Sequence, residues 1–495
     1  MNTHAYQQLE SIFEKIAYLE HLHAMSAWDE AVIMPSGGGK ARAKAMATLD
    51  GVIHETLTDA KVGELIEQAK EERLDDPWQQ ANLQWMKKRY LNATCLPDDL
   101  VKALSETTLH SEQAWRTLRA ENNWEDFAPL LEKTLALTKE SAQCRADVFK
   151  KSPYDVLLDD FIPGINQQTI DPIFSQLKNT LPNLIETIIE EQKKRPLIQP
   201  EGPFPIEQQK QLGLELMQAI GFDFNHGRLD VSHHPFCSGD PEDVRLTTRY
   251  SEKEFVTAAM GTCHETGHAR YEQGLPKQWL RQPVGRANSM ATHESQSLLI
   301  EMQACRSPEF MNFLSPLVKR IFAEQEAFNR DNLHHLYTTV KRDLIRVDAD
   351  EVTYPLHVIL RYEIEKELIE GGLKVADLPN AWNEKMEHYF EHNTDGNYKD
   401  GVMQDVHWPA GLFGYFPAYT LGSLTAAQLF NSAKKANPQI PTQLAQGNFS
   451  ALFDWLGKNV HSKASSVNYD QLMQEACGES LNVDYFLNHV KARYL

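Results

Sequence analysis

Apolar residues recur every three or four positions through most of this chain, the spacing of one-sided helices. Leu9, Ile12, Phe13, Ile16 and Leu19, with Glu10, Glu14 and Lys15 between them, predict a helix over about 5–28. Pro35 and the run Gly37, Gly38, Gly39 end it. Further helices are predicted at 40–72, with Leu49, Val52, Ile53 and Leu57 on the apolar side, and at 77–91, 98–120 and 125–152. Pro97 followed by Asp98 and Asp99 is the start signal of the 98–120 helix. A loop at 161–164 leads to helices over 169–191 and 206–221.

The period changes over 222–250. Short β-like runs broken by Gly239, Asp240 and Pro241 predict a small sheet of two or three strands. Helical spacing then returns at 252–273, 293–304, 308–345, 351–370 and 380–393, and continues to the C-terminus. The expected fold class is mainly α with a minor β element. No Gly/Ser-rich or Pro-rich linker divides the 495 residues. One domain over 1–495 is therefore expected, although length alone would suggest about three.

The predicted helix at 252–273 carries His264-Glu265-Thr266-Gly267-His268. Positions i and i+4 share a helix face, so both imidazoles can reach one metal ion, and Glu265 can reach a water on that ion. With 19 histidines, a chance motif of this kind is roughly a one-in-twenty event. Ala258, Ala259, Met260 and Cys263 just before it bury the helix, as a rigid ligand set requires. A catalytic ion needs a third protein ligand and an open position. Glu294, at the start of the next helix, suits a His/His/Glu set. Its neighbour His293 is the rival, and either residue could instead cap the helix.

Several ordered motifs accompany this one. They are His234-Pro235-Phe236, Asp243-Val244-Arg245-Leu246-Thr247, His293-Glu294-Ser295-Gln296, Ile345-Arg346-Val347-Asp348-Ala349-Asp350, and Gly401-Val402-Met403-Gln404-Asp405-Val406-His407-Trp408. Together with Trp28-Asp29, Met34-Pro35, Gly37-Gly38 and the LLDDFIPG segment at 157–164, they make the chain resemble the carboxypeptidase Taq family of metallocarboxypeptidases over nearly its whole length. The resemblance implies a large helical metallopeptidase fold with a deep central groove. The helical N-terminal half (about 1–221) would wall the groove, and the active-site half (about 222–495) would carry the small sheet near the site.

It also implies an activity: metal-dependent release of single C-terminal amino acids with broad specificity. His264, His268 and Glu294 are then the ligands of one divalent ion per chain. Zinc is the first choice, with cobalt or manganese also compatible with such a set. Glu265 is the general base. Arg245 and Arg346 are candidates to grip the substrate's terminal carboxylate through a bidentate fork; unaided by the resemblance, each is more simply an ion pair with a neighbour such as Asp243 or Asp348. His407 is the candidate oxyanion donor, assisted by Tyr419 or Tyr415. His234 is either a substrate contact or a strand-end histidine, and Asp405 a supporting residue. An oligopeptidase or dipeptidyl carboxypeptidase would use the same constellation. An inactive peptide-binding protein is the reading of another class, and the intact Glu265 argues against it.

A net charge of −20 opposes nucleic acid and anionic membranes as partners. Peptides with a free C-terminus are the expected partners, and the resemblance suggests a homodimer. Six scattered cysteines without a Cys-x-x-Cys read as reduced thiols. The polar start, MNTHAYQQLE, lacks a signal-peptide core, and no apolar run approaches a membrane span. The expected location is the cytoplasm.

Overall fold

The computed structural model describes residues 4–495. Among these residues the chain is mainly helical, with one three-stranded sheet. It folds into two compact units, each woven from three segments: residues up to 94, 197–337 and 425–482 in the first, and 95–196, 338–424 and 483–495 in the second.

In the first unit the opening helix runs Ala5–Val32 and buries Leu9, Phe13, Ile16 and Trp28. The helix expected over 40–72 is two helices, Gly39–Thr58 and Ala60–Lys70. Asp59 separates them because its carboxylate accepts from the Lys61 amide and so starts a new helix. Of the first piece only Leu57 is buried; Val52, expected inside, is 39% exposed. The second piece carries the packing instead, with Val62, Leu65 and Ile66 joining Leu9, Phe13, Ile16 and Met86 in one core cluster.

The sheet forms at the expected place. Strands β1 (Gly227–Val231), β2 (Cys237–Asp240) and β3 (Asp243–Thr248) lie in the order β1-β3-β2. β3 pairs parallel to β1 and antiparallel to β2. Gly239 lies inside β2 rather than in the turn, at φ +110°, where an added Cβ would sit 2.1 Å from the Asp243 carbonyl oxygen. Val244 and Leu246 pack on Met217, Phe222 and Ala269. Ala269 belongs to the helix Val256–Gln273, so the sheet buttresses the helix that bears the His-Glu-x-x-His motif.

The single helix expected over 308–345 is also interrupted. Pro308–Phe322 stops where Ala323 turns to φ +68°, Arg330–Tyr337 follows, and 338–345 is not helical.

The second unit contains the helices Asp98–Ala120, Trp124–Phe149, Gln167–Gln192, Tyr354–Glu370, Leu378–Phe390 and Val483–Tyr494. A helix the periodicity did not yield, Pro153–Phe161, starts with Ser152 capping the Asp155 amide and proline in its first turn. Tyr354–Glu370 is buried on nearly every side, which erases its amphipathic pattern. Its polar residues His357, Arg361 and Glu365 are fully buried too. Buried Glu351 pins the C-terminal helix by accepting from His489 Nε2 at 2.9 Å and the Tyr494 hydroxyl at 2.9 Å.

Candidate metal centre and active site

In the first unit, His264 and His268 project from one face of Val256–Gln273, their rings 4.9 Å apart. Gly267 lets the next helix, Met290–Leu298, come close: a Cβ there would lie 2.7 Å from the Gln296 carbonyl oxygen. This approach brings Glu294 to 3.4 Å from His268 Nε2 and 4.0 Å from His264 Nε2. One donor atom from each of the three residues lies within 4.8 Å of the others. His293 directs its Nε2 to Glu272 instead, at 2.8 Å.

The electrostatics fit a divalent cation. Burial drives the His268 imidazole down to about 3, so it is neutral and has a lone pair to give. Burial raises Glu294, but its bond to His268 and the surrounding imidazoles outweigh this and hold it at about 2, ionised. His264 shows the reverse. Burial would lower it, yet the bond to Glu301 and the charges of Glu294, Glu301 and Glu265 lift it to about 10. Three carboxylates therefore bear on one imidazole, a local charge that favours a cation at this point. Glu265 is buried and pushed up to about 7, chiefly by that burial, and its Oε2 has no hydrogen-bond partner among the described residues. Three donors of the right types beside an orphaned buried carboxylate oxygen are what a hydrolytic metal site requires.

Sequence reasoning missed Glu301. It accepts from His264 Nδ1 at 2.9 Å and is itself held by Arg306. A carboxylate behind a ligand imidazole fixes its ring and tautomer. Glu301 lies seven residues after Glu294, a same-face spacing in an α-helix, but the helix passes into a π-helical turn at Leu299–Cys305 that shifts the register.

Of the other first-unit candidates, Arg245 is paired with Asp243 through Nη2 at 2.8 Å and stacks over Trp28 at 4.7 Å. The His234 side chain is exposed, while its carbonyl accepts from Ser232 and Thr247.

The second unit gathers another set. Arg346 is buried, and its partner is Asp405 rather than Asp348, with Nε at 2.9 Å and Nη2 at 2.7 Å from Oδ1. The same carboxylate accepts from Arg361 Nε at 2.6 Å. Burial would raise the Asp405 carboxyl; the two guanidiniums hold it well below the usual range. Arg346 also donates to the Tyr354 hydroxyl and lies 5.1 Å from the centre of the Tyr419 ring. His407 is driven down to about 3 by burial and then by Arg346, so it is a neutral imidazole. Its Nε2 meets the Tyr419 hydroxyl at 3.2 Å, and its Nδ1 is buried without a partner among the described residues. Tyr415 packs edge-on against Phe161 at 4.8 Å and lies 5.2 Å from the His407 ring.

The loop bearing His407 is fastened by Glu365, a second residue missed from the sequence. This carboxylate accepts from Trp408 Nε1 at 2.9 Å, the Gly414 amide at 2.9 Å and the Tyr154 hydroxyl at 2.8 Å. Gly414 sits at φ +89°, where a side chain would strike the Leu157 backbone at 2.8 Å. The 157–164 segment thus packs against the loop that follows the last motif.

A largely helical fold in which a His-Glu-x-x-His helix receives a glutamate from the next helix defines the class of helical metallopeptidases. The chain belongs to the carboxypeptidase Taq (M32) metallopeptidase family, whose model matches residues 8–494. It is 38% identical to thermostable carboxypeptidase 1 of Thermus thermophilus, covering 99% of this chain and 98% of that protein. It is 34% identical to carboxypeptidase 1 of Bacillus subtilis, covering 100% and 99%. The solved structure of Trypanosoma cruzi metallocarboxypeptidase 1 superposes with a TM-score of 0.97 at 40% identity, with 99% of each chain covered. The protein is therefore a metal-dependent carboxypeptidase.

Proposed function

We propose that His264, His268 and Glu294 hold one zinc ion and that Glu265 is the general base for removal of single C-terminal residues with broad specificity. The observation that carries this reading is the convergence of those three donors within 4.8 Å beside the unpartnered Glu265 oxygen. The ion supplies Lewis acidity, lowering the pKa of a water and polarising a carbonyl; cobalt or manganese would serve on the same ligands. Glu265 takes a proton from the attacking water as the new C–O bond forms. It then delivers the proton to the amide nitrogen as the C–N bond breaks. Glu301 keeps the His264 ring in its ligand orientation.

His407, neutral and bonded to Tyr419, is a donor suited to a developing oxyanion, because it adds no fixed charge of its own. Tyr419 is the assisting tyrosine in this reading, and Tyr415 shapes the pocket around His407. Arg346 takes the terminal carboxylate, its guanidinium already aimed by Asp405 and Tyr354. Arg245, braced by Asp243 and Trp28, and His234 contact substrate further along. The whole chain acts as one catalytic domain, working as a homodimer on cytoplasmic peptides. No helix among the described residues is long and apolar enough to cross a membrane.

Glu265→Gln tests the core of this reading. Turnover should fall by ~10²-fold or more while metal content stays at wild-type level. His264→Ala should lose both. Retained turnover in Glu265→Gln would remove the general-base assignment.

A further inference from the structure

The two histidines of the metal centre are steadied in different ways. A ligand imidazole ordinarily donates its second nitrogen to a carboxylate, carbonyl or water, which sets the ring's plane. His264 does so through Nδ1 to Glu301. His268 does not: its Nδ1 is buried and has no hydrogen-bond partner among the described residues. Its ring instead lies flat on His293, with centroids 4.5 Å apart and planes inclined by 22°.

His293 is itself anchored. Its Nε2 meets Glu272 Oε1 at 2.8 Å. Glu272 sits one turn beyond His268 on the same helix, so the two share a face. On the other side, His293 is joined through the backbone to Glu294, whose carboxylate lies 3.4 Å from His268 Nε2. His268, Glu272, His293 and Glu294 therefore form a closed ring of contacts across two helices. The aromatic plane of His293 covers the face of the ligand that no hydrogen bond fixes.

We propose that His293, held by Glu272, is the positioning residue of His268: stacking sets the second ligand's ring plane, as the Glu301 hydrogen bond sets the first. The inference rests on the metal-centre reading above and adds to it a residue that touches neither ion nor substrate. Two consequences separate it from a merely structural histidine. The task needs a flat ring rather than a polar one, so phenylalanine can perform it and leucine cannot. The effect also falls on metal affinity rather than on the fold.

The test is the zinc dissociation constant of the full chain, by competition with a chelating dye, for wild type, His293→Phe, His293→Leu, Glu272→Gln and the ligand control His264→Ala. Thermal unfolding of the metal-free proteins is followed in parallel. Both His293 variants lose the bond to Glu272, and only phenylalanine keeps a plane against His268. Loss of a supporting partner behind a ligand costs ~10–100-fold in affinity; His293→Leu should show a loss of that order with unfolding close to that of His293→Phe. His293→Phe should stay within about threefold of wild type, since it retains the stacking contact. Glu272→Gln should weaken binding less than His293→Leu does. Equal affinities in the Phe and Leu variants, whether both tight or both weak, would overturn the proposal. If wild type itself bound no zinc, and His264→Ala matched it, the metal-centre reading would fall instead.

Discussion

Asp405→Asn is the substitution whose cost the structure specifies most closely. The Asp405 carboxylate is nearly buried and receives Arg346 Nε and Nη2 and Arg361 Nε at 2.6 to 2.9 Å. Asparagine keeps the shape but removes the charge and turns an amide N–H₂ toward guanidinium donors. Each bond to a charged group is worth about 1.5–3 kcal/mol net, so three set the scale at about 4.5–9 kcal/mol. Asparagine still offers one acceptor, which places the loss near the foot of that range. Breaking a buried ion pair by removing one partner gives an independent figure of ~3–5 kcal/mol. We therefore expect a loss of about 4 kcal/mol, read as a fall in the urea midpoint. Arg346 also loses the contact that aims it. Each 1.4 kcal/mol of lost anchoring is about tenfold, so KM for free-acid peptides should rise at least about tenfold while C-terminally amidated peptides are unaffected. A loss under about 1 kcal/mol, with the free-acid preference intact, would refute the reasoning.

Glu351 makes a pH prediction. Burial raises its carboxyl, but His489 and the Tyr494 hydroxyl bring it to about 2, below the 4.5 of a free glutamate. Its contribution is thus complete above pH 4.5 and is lost as pH falls toward 2; a shift of this size is worth about 3 kcal/mol, and a Glu351→Gln variant should lose stability at pH 7 but show a flatter acid limb in thermal unfolding. Tyr419→Phe, which removes the hydroxyl bonded to His407, should lower kcat by up to ~10²-fold with little change in KM. Tyr415→Phe should leave kcat near wild type, and the reverse ranking would exchange the two tyrosines. Arg245→Ala should raise KM more for longer peptides than for dipeptides, and equal losses on both would end its proposed contact further along the substrate.

Local chemistry made much of this structure legible. The spacing of His264 and His268, the shift to strand period before them, and the proline and acid signals at helix starts all act within a few residues. The misses were of two kinds. The helices over 40–72 and 308–345 are broken by a capping aspartate, Asp59, and a positive φ at Ala323, neither of which disturbs the apolar spacing. The supporting residues act across long separations instead. Arg346 chose Asp405, 59 residues away, over nearby Asp348. Glu365 reaches Trp408, 43 residues on, from a helix whose burial on all sides leaves no pattern. Glu301 was hidden by the π-helical turn, and spacing alone did not show that the His293 ring stacks on His268.

The central claim is that a metal held by His264, His268 and Glu294 serves the removal of single residues from a free C-terminus. It is tested most directly by a mass-spectrometric time course on an N-terminally blocked peptide, run with chelator and after metal is restored. The account predicts a ladder that shortens by one residue from the C-terminus, stops with chelator and resumes with added zinc, and that does not resume in His264→Ala. A ladder indifferent to the chelator, or two-residue and internal cuts, would contradict it.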